Sequence, residues 1–428
     1  MLRVLRNSAY AKLFSAQIVA LLGTGLLTVA LGLLAFDIAG GDAGIVLGTA
    51  LTIKMLAYVG LAPVIAAVTS HVPRKVLLVA ADVLRAAIAI SLPFVTEVWQ
   101  IYVLIFVLQS ASATFTPAFQ AVIPEILRDE RDYTRALSLS RLAYDTEALV
   151  SPFLAAVLLT VINYHNLFVG TFVGFVGSAI LVLSTTFPAM RQAAPTPFAE
   201  RLTRGARVFW CTPALRSLLA MNLVVASATA MVIVNTVVLV QGDLGRPQTD
   251  VALLLAAYGA GSMTVALALP AVLDALPDRA VMLGGAGALP IGLIAVAIAT
   301  SLPTTTASWV ALMTTWLYLG AATALILTPS ARLLRRASND TNRPAVFTAQ
   351  FSLSHACFIV TYPAAGILGA LIGLPSTALV LAGIAAIAAT IAAIAWTPHD
   401  RGDRVDAPRS RRLPRADGSN RAVGDARP

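Results

Sequence analysis

Long apolar runs alternate with short polar connectors along almost the whole chain. A helix rising 1.5 Å per residue needs roughly 20 apolar residues to cross a hydrocarbon layer about 30 Å thick. On that measure the pattern predicts about twelve transmembrane helices, over 11–36, 43–69, 76–95, 101–123, 136–162, 167–188, 217–240, 251–273, 280–302, 307–328, 345–372 and 377–396. The fold class expected is all-α and integral to the membrane. The first run follows Met1-Leu2-Arg3 directly and is too long for a cleaved leader, so it reads as the first spanning helix.

Composition agrees with that pattern. Apolar residues make up 58% and charged residues 12% of the 428 positions, about half the charged share of an ordinary soluble domain. Lys and Arg crowd alternate connectors: Arg3 and Arg6, Arg74 and Lys75, Arg128 to Arg135, Arg191 to Arg207, Arg279, and Arg332 to Arg343. The opposite connectors hold only Arg246. Cytoplasmic loops carry the excess of Lys and Arg, so both termini are expected in the cytoplasm. The net charge of +9 sits in connectors and forms no stripe or DNA-binding motif, which argues against a nucleic-acid partner. Cys211 and Cys357 belong to no CxxC pair. The stretch 397–428, rich in Arg, Asp, Pro and Gly, is expected to be a disordered basic tail.

The two halves echo each other, as repeat-built transporters do. Arg74-Lys75-Val76 after the second span matches Arg279-Ala280-Val281 after the eighth. Thr116-Pro117 matches Thr328-Pro329, and Ser151-Pro152 matches Tyr362-Pro363. The expected organisation is therefore two pseudo-symmetric six-helix bundles, 1–188 and 217–396, joined by a linker at 189–216. In that linker Phe198, Leu202, Val208 and Phe209 interleave with Arg201, Arg204 and Arg207, a pattern suited to an interfacial helix.

Phe115-Thr116-Pro117-Ala118 with Ile123-Pro124-Glu125, Thr212-Pro213-Ala214-Leu215-Arg216, and Ala256-Ala257-Tyr258-Gly259-Ala260-Gly261-Ser262 resemble the major facilitator superfamily, in its enterobactin-exporter-like bacterial branch. The resemblance implies alternating access by rocking of two bundles, and proton-coupled efflux, an antiport, as the commonest activity. The family's loop between spans two and three carries an aspartate-arginine pair before a basic pair. Here Ser70 and His71 stand in place of the first pair, while Arg74 and Lys75 keep the second. The glycine-rich antiporter motif of span five is reduced to Ser151-Pro152.

A charge at the centre of a spanning helix costs roughly 2.5–3.5 kcal/mol on insertion scales, so each such charge points to a function and a partner. Lys54 lies mid-span in the second helix, Asp145 and Glu147 at comparable depth in the fifth, and Arg141 one turn nearer the cytoplasm. Arg141 and Asp145 are four apart and share a helix face. Glu147 points about 200° away from Asp145 and has no same-helix partner, which makes it the better proton carrier. Lys54 is then either its counter-ion or a substrate ligand. Asp82 and Arg85, three apart near the inner end of span three, read as a gate or a packing pair beside Arg74 and Lys75.

His355 and Cys357 in span eleven are the one hint of metal handling, but residues two apart diverge by about 200° on a helix. Cavity candidates are Gln17, Gln109, Asn222, Asn235 and Tyr318, with Tyr58 and Trp316 adding aromatic surface. The leading expectation, from the resemblance, is proton-coupled export of a small organic molecule, drug-like or siderophore-like, by a monomer in the lipid bilayer of a bacterial inner membrane. The rivals are a nickel- or cobalt-like divalent cation exporter, and a transporter-shaped protein that moves nothing. No Walker motif, nucleophile motif or cofactor-binding sequence appears, so an enzyme, an ATP-driven pump and a bound cofactor are not expected.

Overall fold

The computed structural model describes residues 2–61, 72–127, 129–187, 206–303, 305–338 and 343–396. Ser70 and His71, most of the linker and the basic tail lie outside the described residues. The described chain is helical, with no strand among those residues. The helices are α1 (Ser8–Ala39), α2 (Ala43–Leu56), α3 (Arg74–Ser91), α4 (Val98–Ile126), α5 (Glu130–Leu158), α6 (His165–Leu183), α7 (Pro213–Val237), α8 (Gln248–Ala275), α9 (Asp278–Ser301) and α10 (Thr306–Arg336). A last helical stretch, Arg343–Ala395, is broken at Gly373, where φ is +80°. Only glycine adopts that backbone without strain, so the stretch divides into α11 (343–372) and α12 (374–395).

These twelve helices match the number that the apolar runs predict. Among the described residues, nine stretches are long and apolar enough to cross a membrane. Two of them, Ser8–Gly60 and Val346–Ala395, each hold two helices. The helix missing from the nine is α5, whose sequence carries Arg131, Arg135, Arg141, Asp145 and Glu147. The helices bury their own backbone hydrogen bonds, as a hydrocarbon surround demands.

Packing divides the helices into two sets. In the first, α1 packs on α6 and α5, and α3 on α6 and α4. In the second, α7 packs on the α11–α12 stretch, α9 on that stretch and on α10, and α8 on α10. The sets meet along two seams, α2 against α11 and α5 against α8. Those seams exchange under the repeat, since α2 corresponds to α8 and α5 to α11.

One detail realigns the repeat by a residue. Lys75 donates from Nζ to the Thr185 carbonyl at 2.9 Å, just past the end of α6. Arg279 donates from Nε to the Trp396 carbonyl at 2.7 Å, just past the end of α12. Both cations lie two residues after a proline N-cap, Pro73 or Pro277, and both meet the negative end of their bundle's last helix. Lys75, not Arg74, is therefore the counterpart of Arg279. Lys12 adds a second contact, donating to the Ser184 carbonyl at 2.9 Å.

Asp82 and Arg85 sit wholly within the first bundle. Asp82 accepts from Arg85 and, at 2.7 Å, from Ser178 of α6. The guanidinium lies 4.3 Å from the Phe115 ring centre and 4.5 Å from that of Phe175. The pair staples α3, α4 and α6 together. Both side chains are almost entirely excluded from solvent, so Arg85→Met strands a buried carboxylate. It should destabilise the bundle by about 3–5 kcal/mol, read as a lowered unfolding temperature in detergent. Asp82→Leu combined with Arg85→Met should recover much of that loss, because replacing a whole buried pair by apolar groups is tolerated.

Three further clasps hold connectors in place. Arg246 pairs with Asp250 at 2.6 Å and lies 4.1 Å from the Trp309 ring centre. The lone Lys or Arg of the connectors on that side is thus neutralised locally. Tyr164 donates to Asp37 at 2.6 Å, and burial together with that carboxylate raises the phenol's pKa. In the linker, Phe209 is buried in the core while Trp210 is exposed, so the described end of this segment packs into the protein.

Candidate functional site

Two helices that face the opposite bundle carry membrane-depth charges whose side chains are described: α2 with Lys54 and α5 with Glu147. Lys54 lies eleven residues from Ala43, the start of α2, and Glu147 eleven residues from Leu158, the end of α5. Both are therefore about 16 Å deep at helical rise. They lie near enough for their charges to interact. Among the described residues no carboxylate comes within 4.0 Å of the Lys54 ammonium. The ammonium instead faces the Tyr58 ring, 5.8 Å from its centre, a weak cation–π contact. The side chains of Arg141 and Asp145 lie outside the described set.

Gly25 of α1 sets the position of Glu147. A Cβ at Gly25 would stand 2.5 Å from Glu147 Oε1 and would run into the Ser151 side chain. Small residues let membrane helices approach closely, and here the missing side chain makes room for a carboxylate and a hydroxyl. Ser151 is fully buried, with its hydroxyl directed at the Glu147 carboxylate.

Aromatic groups bridge the α2–α11 seam next to Lys54. Tyr58 lies in a π-helical turn, Ala57–Leu61, that continues α2. Its ring centre is 6.1 Å from that of Phe351 and 5.7 Å from that of His355, both on α11. The His355 and Phe351 rings lie 4.2 Å apart. His355 Nδ1 is 2.7 Å from the Phe351 carbonyl, and Lys54 is close enough to act on the imidazole electrostatically. Cys357 instead donates to the Leu353 carbonyl at 3.4 Å. Among the described residues no three His, Cys, Asp or Glu side chains gather as a metal site would require.

At the end of the molecule where α1 leads into α2, the seam closes on backbone. Gly44 and Gly48 of α2 pack on Gly366 and Tyr362 of α11, and a Cβ at Gly366 would run into the Gly44 carbonyl. Asn235 of α7 joins this crossing. Its Nδ2 donates to the Ala365 carbonyl at 3.1 Å, and its Oδ1 sits 3.2 Å from the position a Cβ would take on Gly44.

The other predicted cavity residues are engaged inside their own bundles. Gln17 accepts from Ser140 at 3.0 Å. Asn222 and Gln350 exchange two 3.2 Å hydrogen bonds between α7 and α11. Gln109 is buried. Tyr318 rests on Gly292 of α9 and is 39% exposed, which sets it away from both seams. Trp316 is buried and donates to Thr236 at 3.0 Å. Of the gate residues, Arg74 opens α3 and is exposed, while Lys75, Asp82 and Arg85 make the contacts within the first bundle described above. Sequence reasoning missed Gly25, Phe351 and Gly366. Each acts through a helix-to-helix contact that has no signature along the chain.

Two bundles meeting along α2–α11 and α5–α8, with charges at mid-depth on that face, define an all-α membrane transporter fold. The chain belongs to the Major Facilitator Superfamily, whose sequence model matches residues 13–288 and 218–422. It is 29% identical over 137 residues to an uncharacterized MFS-type transporter of Bacillus subtilis strain 168, YfiS, covering 32% of this chain and 33% of that one. It is 27% identical over 154 residues to macrolide efflux protein A of Enterococcus faecalis, covering 34% and 47%. The matched stretches thus span between a third and a half of these relatives. A bacterial homologue of the human lysosomal transporter Spinster, inward-facing and unoccupied, superposes with a TM-score of 0.71 at 14% identity, over 92% of this chain and 99% of that one. A D-xylose–proton symporter does so with a TM-score of 0.67 at 13% identity, over 90% and 97%. These superpositions concern the fold alone.

Proposed function

We propose that this protein is a proton-coupled exporter of a small organic molecule, working by alternating access between bundles 1–188 and 217–396. The observation that carries the reading is Glu147. It is a carboxylate held at mid-depth by Gly25 and Ser151, on a helix of the inter-bundle seam, within electrostatic reach of Lys54. A carboxylate kept at such depth is costly, and a group that binds a proton in one facing state and releases it in the other repays that cost. The two seams supply the moving parts, because each can open at one end while closing at the other. The stretch shared with the macrolide efflux protein supports the outward direction and an organic cargo. The motif residues around Pro117 and Pro213 support the enterobactin-exporter-like branch.

The Lys and Arg bias supports an inner-membrane chain with both termini in the cytoplasm. One preparation tests activity and orientation together. In inside-out vesicles acidified within, the full chain should accumulate at least one organic compound from a panel of antibiotics and siderophores, and collapse of the pH gradient should release it. A cysteine replacing the exposed Arg207, in a Cys211→Ser background, should react with a membrane-impermeant maleimide on the outer face of the same vesicles. Accumulation of nickel or cobalt alone, or accumulation indifferent to the gradient, would overturn the reading.

A further inference from the structure

We infer that the cargo is zwitterionic, with its acid group recognised by Lys54, its ammonium by Glu147, and a planar or apolar body resting on Tyr58 and Phe351. This rests on the transport reading above and adds the chemical class of the ligand. Lys54 and Glu147 are opposite charges at one depth, each sensing the other, yet no described carboxylate lies within 4.0 Å of the ammonium. Opposite charges held at one depth inside a membrane with no ion pair between them call for other polar partners. Ser151, fully buried, places its hydroxyl beside the Glu147 carboxylate, a further polar contact on the carboxylate's side. On the other side of Lys54, the rings of Tyr58, Phe351 and His355 carry an aromatic surface from α2 to α11.

A ligand with one charge of each sign satisfies both partners at once. A purely cationic ligand drawn to Glu147 meets the repulsion of Lys54, and a purely anionic ligand drawn to Lys54 meets that of Glu147. Such unfavourable pairs provide selectivity against the wrong partner. The same arrangement suits exchange against a proton. Protonation of Glu147 removes the partner of the cargo's ammonium, so the proton and the cargo hold that carboxylate in turn.

The test is equilibrium binding to the full chain in lipid nanodiscs near neutral pH, with tryptophan, tryptamine and N-acetyltryptophan as probes. They share one ring system and carry both charges, only the positive one, or only the negative one. Tryptophan should bind at least about tenfold tighter than either analogue. Lys54→Met should bring tryptamine level with tryptophan, and Glu147→Gln should do the same for N-acetyltryptophan. Equal binding of either analogue to the wild-type chain, or no binding of tryptophan, would overturn the inference without any variant having to fold. Binding needs no pH gradient, so this result stands apart from the vesicle experiment. Charge-selective binding with no gradient-driven movement would refute the transport reading alone.

Discussion

Glu147→Gln should reduce efflux driven by a pH gradient to background, while exchange of cargo across the membrane at saturating concentration continues. Glutamine keeps the volume beside Gly25 and Ser151, where the carboxylate oxygen stands 2.5 Å from the position of an absent Cβ. The fold should therefore survive, and an unchanged unfolding temperature would establish that. What is lost is the ability to take up and give up a proton at that depth, which net coupling requires and exchange does not. Full gradient-driven efflux in an Asp145→Asn, Glu147→Gln double variant would sink the proposal and leave the charges of the first bundle a structural role only. Weaker exchange that saturating cargo restores would fit the cargo's ammonium resting on Glu147, whereas exchange lost even at saturation would mean that the carboxylate is required for the bundles to move at all.

Gly366→Leu should stop transport by a different route. At Gly366 the α11 backbone meets the Gly44 carbonyl of α2 with no space for a Cβ. Any side chain there must hold the helices apart, and that end of the seam cannot close. Neither bundle depends on this contact internally, since α2 also packs on α1 and α4, and α11 belongs to the stretch that packs on α7 and α9. The variant should thus be folded and inactive. A cysteine placed at Ile45, whose Cα lies 3.2 Å from the position of a Gly366 Cβ, should react with a membrane-impermeant maleimide faster in Gly366→Leu than in the parent. Equal labelling with normal transport would mean that this crossing does not gate the pathway.

Much of the fold could be read along the chain, because a bilayer imposes a one-dimensional rule. Every spanning helix needs its own run of apolar residues, and connectors must be polar, so the twelve helices are visible as runs. The break at Gly373 falls between the apolar runs ending at Ile372 and starting at Thr377. The charged α5 was readable for a second reason. Its flanking connectors alternate in Lys and Arg content, which requires a crossing there despite its weak hydropathy. The repeat was also visible, but one residue out of register at Arg279. Sequence likeness favoured Arg74, whereas the shared duty of meeting a helix C-terminus belongs to Lys75.

The candidate site was half legible. Lys54 and Glu147 were marked by the cost of placing charge in hydrocarbon, a property of the residue and its position in a run. Asp82 and Arg85 carried the same mark, yet they are joined to Ser178 and flanked by Phe115 and Phe175 inside one bundle. Cost alone does not tell a staple from a working charge. The amides were harder still. Gln17 and Asn222 find Ser140 and Gln350 as partners in their own bundles, and Tyr318 turns to α9. Depth in the membrane follows from counting residues. The direction a side chain faces, and what meets it, does not.

The sequence by itself determined the solvent this protein lives in, the number of its helices and which side chains bear charge at depth, since each depends on local composition measured against a layer of fixed thickness. The tertiary structure alone decided which charges share a face, that His355 joins Tyr58 and Lys54 instead of Cys357, and that Gly25 and Gly366 are the points of closest approach. Those contacts join residues that lie in different helices, far apart along the chain. They exist only once helices pack in a particular rotation, and that rotation is a property of the whole assembly of surfaces, which no single run of residues contains.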